Sequence, residues 1–268
     1  MIGGTGSITY QLTSVYAANT NALADALAKL ASGKKFNSAA DDFYSFIKSR
    51  NVLSDIAGYE NVKENLTSFK TFSSAALQVA STVYDNLSKM KDLAVQYIGT
   101  NDATLKSEYK ADFDALKTEV TNALDNTYVD GVKITVKNTD VKIVELDPDG
   151  NGKLKMNFLD IANSTNIGNF DITHTATIVN DVQTEIDSML TYLSQAKSFD
   201  NITSQQINLT DTIINSKKAV ESLISDIDEA EQTGKIVDLS IRQQASVALM
   251  SQANMIQSAI SKLYDFRS

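Results

Sequence analysis

A chain of 268 residues, 43% hydrophobic and 21% charged, has room for one large or two modest folded domains. Its net charge of −9 argues against a nucleic-acid binder, which needs a basic face. The lack of cysteine excludes a disulfide framework, thiol chemistry and cysteine-ligated metals, and a single proline, Pro148, leaves long stretches free to be helical.

The first ten residues, MIGGTGSITY, have neither a basic start nor a long apolar core. They predict no Sec-type signal peptide and no membrane insertion, so an extracellular protein of this kind would leave by another route. Residues 1–33 carry only Asp25 and Lys29 as charged side chains. Ile8, Leu12, Val15, Ala22, Ala26 and Leu30 recur at helical spacing within them.

Asn37 and Ser38, ahead of Asp41 and Asp42, read as the start of a helix, because acids favour a first turn. A long helical pattern follows from about Asp42 to Ile98. Its apolar positions Val62, Leu66, Phe69, Ala76, Val83, Leu87, Met90 and Ala94 step by threes and fours or their sums, as in a coiled coil. A shorter helix is expected from about Ala103 to Asn126.

The texture then changes. From Val129 to Val136 apolar and polar residues alternate around Asp130-Gly131, a hairpin signal. Residues 135–174 read as a small β-containing insertion between helices. Within it Asp147, Asp149 and Asn151, with Gly152, match the first half of an EF-hand-type calcium loop. The twelfth position, which needs a bidentate Glu, is Phe158, and flanking helices are not expected. A Gly/Asp/Asn turn explains the same residues without a metal. No other cofactor is implied. His174 is the only histidine, and no HExxH motif or phosphate-binding glycine loop exists, so catalysis has little to stand on.

A second long pattern runs from about Thr175 to Thr233, through Ile178, Val182, Ile186, Met189, Leu193 and Ala196, with Gly234 as the expected stop. Such helices suit an ordinary antiparallel bundle or an assembly. Residues 243–264 decide in favour of assembly, because Lys262 is their only charged side chain. Ile241, Ala245, Ala248, Met255, Ala259 and Leu263 again fall at helical spacing. A solvated helix normally keeps a charged face, and these two ends lack one. Disordered tails would explain the composition but not the periodicity. Pairing the two ends and packing the pair against copies of itself removes the exposed weakly polar surface. Candidate polymerisation residues are Leu12, Val15, Leu30, Ile241, Ala248, Met255 and Leu263.

Four segments together resemble the bacterial flagellin family. Lys29–Phe43 (KLASGKKFNSAADDF) is similar to its N-terminal signature, and Leu87–Tyr97 (LSKMKDLAVQY) to a stretch ending in leucine-alanine-valine-glutamine. Tyr128–Ile134 (YVDGVKI) resembles the lead into its β-hairpin. Ser240–Leu263 (SIRQQASVALMSQANMIQSAISKL) resembles the C-terminal segment with its glutamine-alanine-asparagine core. The tail KLYDFRS departs from the family's Leu-Leu-Arg-like end.

The resemblance implies a mainly α fold. Long coiled-coil-like helices from the N- and C-terminal regions are joined by a β-hairpin and a small β-containing insertion. Residues 1–36 and 237–268 would form the two halves of an inner helical core. Residues 37–134 and 175–236 would form a rod, with 135–174 outside it and the most dispensable part. It further implies an extracellular, self-assembling filament subunit for motility, not an enzyme, exported through a type III apparatus. Implied partners are copies of the chain, the flagellar cap, junction proteins and an export chaperone. Lys89, Leu93 and Glu119 stand where recognised flagellins carry Arg, Leu and Glu for an innate-immune receptor. Lys in place of Arg predicts weaker recognition, because the planar guanidinium is lost. The alternatives are the hook–filament junction protein of the same superfamily and a secreted adhesin or binding module using the insertion.

Overall fold

The computed structural model of the protein describes residues 3–129, 131–133, 142–156 and 167–265. Among these are five α-helices: α1 (Gly3–Ser32), α2 (Phe43–Gly99), α3 (Ala103–Asn126), α4 (Ile178–Ser225) and α5 (Glu229–Asp265). Two antiparallel hairpins lie between α3 and α4. They are β1 (Tyr128–Val129) with β2 (Val132–Lys133), and β3 (Lys142–Glu145) with β4 (Lys153–Met156). The mainly α fold with a β-hairpin and a small β insertion is therefore present. Two compact units result. One joins the stretch up to Ser54 to the stretch from Lys217 onward, and the other is Asp55–Ser216.

In the Asp55–Ser216 unit a buried seam of α2 runs through Val62, Leu66, Phe69, Ser73, Ala76, Ala80, Val83, Leu87, Met90 and Ala94, with Ile56, Phe72 and Asn86 also buried. The seam positions alternate steps of four and three without a break, the 3.5-residue repeat that keeps one seam facing a partner helix. Ile178, Val182, Ile186, Met189 and Tyr192 of α4 close the same core. The polar pairs fix the direction. Lys63 Nζ meets Asp211 at 2.7 Å, Ser74 Oγ donates to Asp200 at 2.8 Å, and Lys91 Nζ donates to Gln183 at 2.6 Å. The partner recedes along α4 as fast as α2 advances, so the two helices are antiparallel. Helix α3 starts on Asp102, whose Oδ1 accepts the amides of Thr104 and Leu105 at 2.8 and 3.3 Å. Such a cap stabilises a helix by about 1 kcal/mol. Phe113, Val120 and Leu124 of α3 are buried in the same core.

The hairpin expected at Asp130-Gly131 forms: Val129 pairs with Val132, and Gly131 adopts φ 74°. Asp130 itself and residues 134–141 and 157–166, including Phe158, lie outside the described residues. The chain returns to α4 through a short 3₁₀ turn (Ile167–Asn169), held by buried Ile167, Phe170 and Ile172. Lys117 Nζ donates to the Phe170 carbonyl at 2.9 Å. His174 is exposed in the turn before α4.

Two expectations are corrected. The second long pattern does not end at Gly234. Helix α4 stops at Ser225, and α5 passes through Gly234, around which there is open space. The break is set by Asp228, whose Oδ1 accepts the amides of Ala230 and Glu231 at 2.9 and 3.1 Å. Asp228 with Glu231 three residues on is a capping-box spacing, and Glu229 and Glu231 suit the first turn. An exposed mid-helix glycine costs only about 1 kcal/mol, which the rest of a long helix outweighs. At the start of α2 the cap is Asp42, whose Oδ1 accepts the Ser45 amide at 3.0 Å. Asn37 and Ser38 instead donate their amides to Asp41 Oδ2 at 2.8 and 2.9 Å, closing the turn that precedes the helix.

Candidate assembly surface

Helices α1 and α5 pack along each other. Thr13 Oγ1 approaches Met250 Sδ at 3.9 Å, and Gln243 Nε2 donates to Thr20 Oγ1 at 3.0 Å. Seven residues forward on α1 answer to seven residues back on α5, so the pair is antiparallel with a heptad register. Further along, Gln232 Nε2 donates to the Ala26 carbonyl at 3.1 Å. On α1 the seam runs through Leu12, Tyr16, Asn19, Leu23, Ala26 and Leu30. On α5 it runs through Gln232, Ile236, Leu239, Gln243, Ser246 and Met250. Both sets alternate steps of four and three, and both are buried or half-buried.

The polarity of α5 is mixed. An amphipathic helix normally turns its apolar stripe to its partner and a polar face to solvent. Here Gln232, Gln243 and Ser246 share the seam with Ile236, Leu239 and Met250, while Val237, Ile241, Leu249, Met255, Ile256 and Ile260 are exposed. Ile241 is 60% exposed and Met255 64%. On α1, Val15 is 49% exposed. The candidate polymerisation residues thus divide. Leu12 and Leu30 lie in the seam, whereas Val15, Ala248, Ile241 and Met255 lie outside it. The side chain of Leu263 lies outside the described residues. A run of exposed large apolar side chains on one helix marks a surface that other protein covers.

The pair is anchored where its helices end. Helix α1 stops at Ser32, and Gly33 takes φ 69°, the left-handed conformation suited to glycine after a helix. Beside it lies the break between α4 and α5. The Lys35 amide donates to the Ser225 carbonyl at 2.6 Å, and the Ile227 amide to the Gly33 carbonyl at 3.1 Å. Lys34 Nζ reaches Asp226 Oδ1 at 2.6 Å, Ser225 Oγ at 2.8 Å and Glu221 Oε1 at 3.6 Å. The Lys34 ammonium, with the Ser222 and Ser225 hydroxyls, lowers the Asp226 carboxyl to about 2. The Asp226 carboxylate in turn raises Lys34. Reasoning from sequence missed this junction, although Asp228 and Glu231 carried the signal for a new helix.

The other candidate residues lie in the Asp55–Ser216 unit. Lys89 and Leu93 line a shallow groove with Asp112, Ala115 and Leu116 of α3. Glu119 is exposed one helical turn beyond Ala115 on the same face. Asp147 belongs to the turn between β3 and β4. Its Oδ1 accepts the Asn151 amide at 3.0 Å and its Oδ2 the Gly152 amide at 3.2 Å. Gly150 sits at φ 73°. Asp149 and Asn151 are exposed, and no group of three His, Cys, Asp or Glu suited to a metal occurs among the described residues.

Residues 5–139, half of the chain, match the family model described as the bacterial flagellin N-terminal helical region. The chain belongs to the flagellin family. It is 25% identical over 246 residues to flagellin FljO of Caulobacter vibrioides, covering 88% of each protein. It is 24% identical to a flagellin of Halalkalibacterium halodurans, covering 91% of this chain and 93% of that one. The crystal structure of Bacillus cereus flagellin is similar at 18% identity and a TM-score of 0.49, over 55% of this chain and 88% of that one.

The flagellin family is a family of structural proteins, and this member is a structural subunit of the bacterial flagellar filament, the extracellular part of the flagellum. The family implies self-polymerisation into that filament.

Proposed function

We propose that assembly runs through the outward apolar stripe of α5 and the exposed positions beside it on α1, with copies of the same chain as the covering partner. The exposed apolar face of α5 carries this reading. A helix that turns isoleucine, leucine and methionine to solvent on the side away from its intramolecular partner is incomplete by itself. Each copy meets the next with a different surface, so the contact is heterologous and propagates as a helix. Residues 1–36 and 237–268 form the inner core in this reading. Residues 37–134 and 175–236 form the rod, and 135–174 is the insertion. Export without a cleaved signal peptide belongs to the same reading. So do a cap, junction proteins and an export chaperone as partners.

The test is polymerisation of purified protein seeded with ammonium sulfate and viewed by negative stain. Deleting residues 1–33 should abolish filaments and leave α2–α4 folded by circular dichroism. Filaments from the truncated chain would refute the reading. A soluble full-length monomer that never polymerises would favour a junction protein.

Two finer points complete the proposal. The 147–152 turn serves the hairpin and not calcium, supported by the engagement of both Asp147 oxygens with backbone amides. The flagellin-sensing Toll-like receptor would read the groove at Lys89, Leu93 and Glu119 weakly, because an ammonium offers no planar fork to a carboxylate.

A further inference from the structure

The sequence holds a single Asn-Gly pair, Asn151-Gly152, in the turn that joins β3 to β4. Such a pair carries its own reaction. The backbone nitrogen of Gly152 can attack the side-chain carbonyl carbon of Asn151. A nitrogen–carbon bond forms, the Cγ–Nδ2 bond breaks, and the side-chain amide leaves as ammonia, taking the proton of the Gly152 N–H. The product is a succinimide ring. Water then opens the ring, giving aspartate when it adds at Cγ and isoaspartate when it adds at the main-chain carbonyl carbon. Water is the only co-reactant. Glycine favours the attack because it has no side chain to obstruct it and its backbone turns freely.

Asn151 is exposed, so water and hydroxide reach it. Gly152, however, is held. Its N–H donates to Asp147 Oδ2 at 3.2 Å, and its carbonyl accepts the Leu146 amide at 2.8 Å. The Asn151 amide donates to Asp147 Oδ1 at 3.0 Å, so one carboxylate holds both peptide nitrogens of the pair. A Cβ added at Gly152 would stand 3.2 Å from Leu146 Cβ, so the Gly152 backbone lies close against that residue. To react, the Gly152 nitrogen must give up its proton and turn toward Asn151 Cγ. A carboxylate acceptor opposes both steps, because it stabilises the protonated amide and fixes the direction of its N–H.

We propose that Asn151 is a site of spontaneous conversion to aspartate and isoaspartate, and that the Asp147 carboxylate keeps this site closed by holding the Gly152 amide. Conversion then follows opening of the turn. It adds a negative charge close in sequence to Asp147 and Asp149, and isoaspartate lengthens the main chain by one carbon. A converted turn therefore closes less readily than the original.

Peptide mapping by mass spectrometry, on the full-length protein held in mildly alkaline buffer, follows the conversion of Asn151. The folded protein should convert at least about tenfold more slowly than the same protein in urea, the factor that breaking one hydrogen bond to a charged group implies. Folded Asp147→Ala should recover most of that difference, with the helical circular dichroism unchanged. Asp147→Asn keeps the shape of the side chain and one acceptor oxygen, and should fall between the parent and Asp147→Ala. It decides the matter if Asp147→Ala disturbs the hairpin itself. Equal rates for the folded parent and the protein in urea would overturn the proposal. So would Asp147→Asn and Asp147→Ala proteins that convert no faster than the parent.

Discussion

The Lys34 ammonium lies 2.6 Å from the Asp226 carboxylate, joining the end of α1 to the break between α4 and α5. The pair is supported by two backbone hydrogen bonds, Lys35 to Ser225 and Ile227 to Gly33. A local network therefore ties the end of α1 to the start of α5. Asp226 titrates below its ordinary value of 3.8, at about 2. Its contribution to stability is thus fully present above about pH 4 and is lost as the pH falls through 2. The Asp226 side chain is 42% exposed, so solvent screens the pair and the contribution is about 0.5–1 kcal/mol. Asp226→Asn should lower the unfolding free energy measured in urea by that amount at pH 7, and the difference should shrink between pH 4 and pH 2. A difference independent of pH would assign the effect to the hydroxyl contacts and not to the charge.

The two faces of α5 should respond oppositely to the same kind of change. Ile241 is exposed in the subunit, so Ile241→Asp should leave the thermal melt of the monomer within about 0.5 kcal/mol of the parent and prevent polymerisation. Leu239 is buried against α1, and Leu239→Asp should unpair the terminal helices at once, costing about 3 kcal/mol or more for an unpartnered buried carboxylate. Circular dichroism of the monomer and negative-stain counts of filaments, taken together, separate the two roles.

Calcium is expected to have no binding partner in the 147–152 turn. Isothermal calorimetry at millimolar Ca²⁺ should show no binding heat. Among the described residues no group of three His, Cys, Asp or Glu side chains gathers there to supply the several oxygens that calcium takes. A saturable exotherm abolished by Asp147→Ala would reverse this conclusion.

Recognition by the flagellin-sensing Toll-like receptor should rise when Lys89 becomes Arg. Lys89 is exposed on α2 beside Leu93, so the change should not disturb the fold. Restoring a bidentate contact is worth about 1–2 kcal/mol, which is roughly a tenfold gain in potency in reporter cells. Equal potency of the two proteins would show that the guanidinium is not what limits recognition.

Much of the fold was legible in the sequence because coiled-coil packing writes itself as a period. The four-three steps from Val62 to Ala94 in α2 and from Ile178 to Ala196 in α4 are the seam itself. The Asp130-Gly131 signal marked the hairpin because the turn needs a residue at positive φ. The breaks were harder to place. Gly234 looked like a stop, yet a glycine ends a helix only when the backbone turns left-handed there, and nothing in its neighbourhood forces that turn. Asp228 did end the pattern, because its side chain offers the amides of a new first turn a better acceptor than the preceding helix can.

The charge-poor, periodic ends already determined that this chain must bury its termini against protein, since apolar area in water is unfavourable whatever the fold around it. Which residues meet inside the subunit, and which are left for the next copy, was decided only in three dimensions. Composition counts Ile241 and Leu239 alike, but a rotation of about 200° about the helix axis separates two residues that are two apart. The antiparallel register with α1 then chose Leu239 for the seam and left Ile241 exposed. The contact between Gly58 and Pro148 was equally invisible. Gly58 and Pro148 lie 90 positions apart in the sequence, and only the docking of β3–β4 on α2 makes the absence of a side chain at one the condition for the other.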